Sequence, residues 1–92
     1  MTFSYQNKRI LITGASSGIG YALAEELSSR GASCSILARR ESKLEDLGNK
    51  IHKQGFEKPT IIVADLLTAA GLTRAIEEAQ STDVLINNAG FG

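Results

Sequence analysis

The sequence predicts an α/β fold: a doubly wound parallel sheet with helices on both faces, three layers in all, and incomplete. Three observations predict it. Apolar runs and amphipathic stretches alternate along the chain as β-α-β-α-β-α-β, the pattern in which parallel strands are joined by right-handed helical crossovers. The first apolar run, Ile10-Leu11-Ile12, has no polar residue interleaved, as befits a strand buried on both faces. A glycine-rich turn, Thr13-Gly14-Ala15-Ser16-Ser17-Gly18-Ile19-Gly20, leads from that run directly into the first amphipathic stretch.

Each element follows from local pattern. Residues 9–13 read as strand one and residues 19–30 as helix one, with Ile19, Leu23 and Leu27 along one stripe. Gly31 stands where a helix C-terminal glycine belongs. Residues 33–38 read as strand two. Ser42-Lys43-Leu44-Glu45 has the form of a capping box, which starts helix two at Lys43. Leu44, Leu47 and Ile51 supply its buried face, Gly48 costs it about 1 kcal/mol relative to alanine, and Gly55 follows its end. Pro59 punctuates the loop before strand three, residues 60–64. Helix three spans residues 69–80 with Leu72, Ala75, Ile76 and Ala79 facing inward, and strand four spans residues 83–87. The expected strand order is 3-2-1-4, with strands one and four flanking the topological switch point.

Composition bounds the function classes. Ninety-two residues allow one small domain at most. A formal net charge of zero gives no global attraction to nucleic acid or anionic membrane, so neither is an expected partner. No apolar run approaches the ~20 residues of a membrane span. Residues 1–9 lack an apolar signal core, so no secretory peptide is expected. The single cysteine, Cys34, lies within strand two and reads as a small buried hydrophobe. It fits a reducing, cytoplasmic setting. One histidine, His52, and one cysteine make no metal-ligand cluster.

The turn after strand one has the chemistry of a phosphate cradle. Gly14 permits a tight exit from the strand. Ser16 and Ser17 offer hydroxyl and N–H donors. Gly18, Ile19 and Gly20 bring backbone N–H groups and the positive end of the helix dipole against a pyrophosphate. The end of strand two distinguishes the two nicotinamide dinucleotides: an acidic residue there accepts from a ribose 2′-OH, a basic one pairs with a 2′-phosphate. Here the strand ends Leu37-Ala38-Arg39-Arg40. Ala38 occupies the acidic position and Arg39 follows it, able to hold phosphate through two parallel hydrogen bonds. The expected cofactor is therefore NADP (NADPH) rather than NAD. Glu41 is expected to face solvent.

Thr13-Gly14-x3-Gly18-x-Gly20 and Asn87-Asn88-Ala89-Gly90, three β-α units apart, together resemble the two signatures of the short-chain dehydrogenases/reductases. The resemblance covers the whole chain but only about the N-terminal third of a typical member. It implies a Rossmann-like fold and an oxidoreductase that moves hydride between NADP(H) and a carbonyl or alcohol. It also implies that Asp65 accepts from the adenine amino group and that the N–H of Leu66 reaches the ring. Asn88, Ala89 and Gly90 would line the cofactor ribose, the asparagines tying the strand end to its neighbours. Some NADP-using relatives carry a basic residue just before the second glycine. Ser17 stands there instead, which leaves phosphate recognition to Arg39.

The family's catalytic serine, tyrosine, lysine four residues after the tyrosine, and asparagine have no counterpart in this sequence. Tyr5 is followed four residues on by Arg9 and Tyr21 by Glu25, and Tyr21 is expected to pack. No catalytic residue is assigned. The chain is expected to be the dinucleotide-binding part of a Rossmann-fold domain, truncated after strand four, from a longer oxidoreductase. The alternative is a non-enzymatic NADP-binding module, or a subunit that self-associates or is completed by a second chain across the exposed edge of strand four.

Overall fold

Four parallel strands and three helices alternate in a computed structural model that describes residues 4–16 and 18–88. In chain order they are β1 (Arg9–Thr13), α1 (Gly18–Ser29), β2 (Ser33–Ala38), α2 (Glu41–Lys53), β3 (Thr60–Val63), α3 (Ala69–Ala79) and β4 (Val84–Asn87). The sheet runs β3-β2-β1-β4, every pair parallel. The expected order and all seven elements are present. β1 and β2 have the expected bounds, and the other elements begin or end within two residues of expectation.

Strand alternation divides the core in two. Ile10, Ile12, Cys34 and Ile36 face α1 and α2, where Ala24, Leu27, Leu44, Leu47 and Ile51 close over them. Leu11, Leu37 and Ile62 point to the other face and meet Ala75 of α3. The expected buried face of α2 and the burial of Cys34 are as read from the sequence. Tyr21 packs against the larger cluster, and Lys50 Nζ lies 5.5 Å from its ring centroid.

Three expectations need correction. Helix α2 begins at Glu41, with Arg40 as N-cap and no side-chain capping bond. Ser42 already lies inside the first turn, so the Ser42–Glu45 box is not used. On α1 the buried stripe is Gly20, Ala24, Leu27 and Ser28, while Ile19 is 70% exposed. At 100° per residue, turning Gly20 and Ala24 inward turns Ile19 outward. On α3 the ridge against the sheet is Gly71, Ala75 and Ala79, spaced four apart. Leu72 and Ile76 sit on its flank, 49% and 52% exposed, because small residues bring the helix axis close and leave the larger ones beside the contact.

Candidate functional site

The carboxyl ends of the strands form one row. Asp65 follows β3, Arg39 follows β2, the glycine-rich turn follows β1, and Asn88 follows β4. In an open α/β sheet this edge, at the point where strand order reverses, is where ligands bind. Here the reversal lies between β1 and β4, with Thr13 opposite Asn87.

The two sides of that switch point are joined by polar bonds. Thr13 is buried at the end of β1, directly after the apolar run Ile10-Leu11-Ile12. Its hydroxyl donates to Asn87 Oδ1 at 2.9 Å and accepts from the N–H of Asn88 at 3.0 Å. Asn88 Nδ2 donates to the carbonyl of Gly14 at 3.3 Å. The asparagines thus tie β4 to the turn, as expected. Thr13 was not among the expected site residues. A buried threonine closing an apolar run was the available signal, since a buried hydroxyl requires partners.

The turn itself is compact. Gly14 and Gly18 have φ of 65° and 61°. Ala15 is fully buried, and its N–H donates to the carbonyl of Leu37 at 3.2 Å, pinning the turn to the end of β2. Gly20 fills the tightest position: a Cβ there would lie 2.6 Å from both Asn88 Nδ2 and the Gly14 carbonyl oxygen. Ser16 is half-buried, and Ile19 stands exposed at the start of α1. The first N–H groups of that helix have no partners within the helix and are available to an anion. Ser17, Ala89 and Gly90 lie outside the described residues.

Arg39 and Arg40 are both exposed, and neither forms a salt bridge with Glu41 or any other described residue. Glu41 is exposed as expected. Asp65 is half-buried, and its Oδ1 accepts from the N–H of Leu67 at 2.9 Å, an Asx turn that shapes the loop. Leu66 turns its side chain into the smaller core, which leaves its backbone at the sheet edge. An open groove of about 500 Å³ adjoins this loop, lined by Val63, Ala64, Asp65, Thr68 and Arg74 among others. The structure therefore brings the described candidate residues to one edge, with Asp65 and Arg39 on neighbouring strands.

Away from the site, burial pushes the Cys34 thiol above its ordinary pKa, opposed by a 3.5 Å hydrogen bond from the Ser28 hydroxyl. Among the described residues, no helix is long and apolar enough to cross a membrane.

Comparison with known proteins identifies the surroundings of this edge. A family model described as short chain dehydrogenase matches residues 8–92. The 11-beta-hydroxysteroid dehydrogenase of Pinus massoniana is 36% identical over 91 residues, covering 95% of this chain and 26% of that protein. The 3-dehydrosphinganine reductase TSC10A of Arabidopsis thaliana is 41% identical over 85 residues, covering 92% and 26%. Among solved structures, L-sorbose reductase from Gluconobacter frateurii, complexed with NADPH and L-sorbose, superposes with a TM-score of 0.87 at 31% identity. It covers 97% of this chain and 35% of that one. A bulky-bulky ketone specific alcohol dehydrogenase from Comamonas testosteroni gives a TM-score of 0.84 at 35% identity, covering 94% and 37%. The chain spans about a quarter of the length of the curated relatives it matches.

Proposed function

The chain belongs to the short-chain dehydrogenase family, and we propose that it is the NADP-binding segment of an oxidoreductase that interconverts a carbonyl and an alcohol. When bound, the nicotinamide supplies the hydride or receives it. The residues here hold the other end of the dinucleotide. The N–H groups of the Gly14–Gly20 turn and the dipole of α1 receive the pyrophosphate, with Ser16 and Ser17 as further donors. Gly20 supports the fit, because without a Cβ it lets α1 start directly against the turn and Asn88, which sets the helix N-terminus at the switch point. Asp65 accepts from the adenine amine and the N–H of Leu66 meets the ring. Asn88, Ala89 and Gly90 border the ribose.

The observation that carries NADP over NAD is Arg39, exposed and without a salt bridge to any described residue, after Ala38 where an acidic residue would select the 2′-OH. The NADPH complex of the sorbose reductase supports the reading at the level of the family. Titration of the protein with NADPH and NADH tests it. Tighter NADPH binding is expected, and equal affinity rejects the preference. The catalytic serine, tyrosine and lysine belong, in this reading, to sequence beyond the ninety-two residues, and the protein works in the cytoplasm. A second reading, a subunit completed by another chain, draws on Leu72, Ile76 and Leu85, which are each about half exposed between α3 and β4. The intact mass of the denatured polypeptide from its source cells separates the two: a mass well above 9.8 kDa favours the first, and one near 9.8 kDa the second.

A further inference from the structure

The loop that carries Asp65 is held by a side chain that lies behind it. Thr68 is the N-cap of α3, with extended backbone. Its hydroxyl accepts from the N–H of Gly71 at 3.0 Å and donates to the backbone carbonyl of Asp65 at 2.8 Å. One hydroxyl can do both, having one proton to give and two lone pairs to receive with. The amide of Thr68 donates to the same carbonyl at 3.0 Å. Gly71 completes the arrangement: a Cβ there would overlap the Asp65 carbonyl, so the first turn of α3 meets the loop in a contact open only to glycine.

The carbonyl of Asp65 and the N–H of Leu66 belong to one peptide group. That group is planar and trans, so its C=O and N–H point in opposite directions. Anchoring the carbonyl on Thr68 and α3 therefore aims the Leu66 N–H away from α3. We propose that Thr68 is a positioning residue for adenine recognition. It fixes the Asp65–Leu66 peptide so that a carboxylate acceptor and an N–H donor are presented together at the end of β3. Such a pair matches the adenine edge, which offers an amino donor beside a ring-nitrogen acceptor. It mismatches hypoxanthine, in which both polarities are inverted. The inference rests on the reading of Asp65 and Leu66 as the adenine contacts.

The test is titration of the full protein with NADPH and with its hypoxanthine analogue, in wild type, Thr68→Ser and Thr68→Asp. Aspartate keeps an acceptor for the Gly71 N–H but has no side-chain proton for the Asp65 carbonyl, so it caps the helix while leaving the peptide only the backbone bond from residue 68. Wild type and Thr68→Ser are expected to favour NADPH by roughly tenfold or more, and Thr68→Asp by no more than about threefold, the scale of one lost hydrogen bond. Equal binding of both dinucleotides by wild type would remove the adenine reading itself. Strong discrimination by wild type and Thr68→Asp alike would leave Thr68 a helix cap and overturn the proposal. If Thr68→Asp does not fold, ¹⁵N relaxation of free wild type decides: Leu66 as rigid as β3 supports positioning, and loop-like mobility at Leu66 rejects it.

Discussion

Gly20 and Asn88 meet across the switch point with no room for a methyl group between them. A Cβ on Gly20 would sit 2.6 Å from Asn88 Nδ2 and equally close to the Gly14 carbonyl, which Asn88 already engages. Helix α1, the turn and the end of β4 therefore fit only as a unit. The Gly20→Ala variant would gain about 1 kcal/mol in helix propensity. It must also displace a backbone carbonyl, an overpacking cost of roughly 1–3 kcal/mol. The expected result is a net loss of stability by urea titration together with at least tenfold weaker NADPH binding. Unchanged binding would show that the turn does not depend on this approach.

The proposed preference for NADP rests on Arg39. Removing a charge-assisted contact to phosphate costs on the order of 1.5–3 kcal/mol, so Arg39→Ala should weaken NADPH binding roughly 10- to 100-fold. NADH, which has no 2′-phosphate, should bind with nearly unchanged affinity. The same loss for both cofactors would mean that Arg39 serves the turn in general. Because the residue is exposed and forms no salt bridge with a described residue, the unfolding midpoint should not move.

What could be read in advance, and what could not, follows from which residues carry the contacts. Strand β1 was legible because a strand buried on both faces reads as a continuous apolar run, and Ile10-Leu11-Ile12 is one. The helix faces of α1 and α3 were read only in part: Leu27, Ala75 and Ala79 face inward as expected, but reasoning from large apolar residues also chose Ile19, Leu72 and Ile76. Gly20, Ala24 and Gly71 make close contacts in their place. Small residues announce nothing by hydrophobicity; their value lies in what comes near them. The site shows the same division. Its glycines and Arg39 are set by local spacing, whereas the Thr13 bonds to Asn87 and Asn88 span more than seventy residues of sequence.

Cys34 predicts a pH dependence. Burial holds the folded thiol's pKa above its unfolded value. The unfolded chain therefore loses this proton first as pH rises, and unfolding is drawn forward by that ionisation. The contribution is intact below the ordinary thiol pKa of about 8.5 and is lost progressively above it, at no more than about 1.4 kcal/mol per pH unit. Urea midpoints measured from pH 7 to 10 should fall more steeply for wild type than for Cys34→Ala. Parallel curves would show that the folded thiol ionises as readily as the free one. A thiol-reactive dye should label the native protein slowly and the urea-unfolded chain at once, since Cys34 is 3% exposed.

Gly48 poses a question of sign. It lies in the buried face of α2, where a Cβ would stand 3.3 Å from Ile61 Cδ1. Alanine would gain about 1 kcal/mol of helix propensity. Against this, the contact is a few tenths of an ångström too tight, but the neighbour is the far end of a half-buried side chain that can rotate rather than a backbone atom. The opposing cost is therefore smaller than at Gly20, where a carbonyl blocks the way. Gly48→Ala is expected to raise stability by roughly 0.5 kcal/mol, the remainder of the propensity gain. A urea midpoint below that of wild type would show that Ile61 is locked and that α2 needs glycine to lie this close to β3.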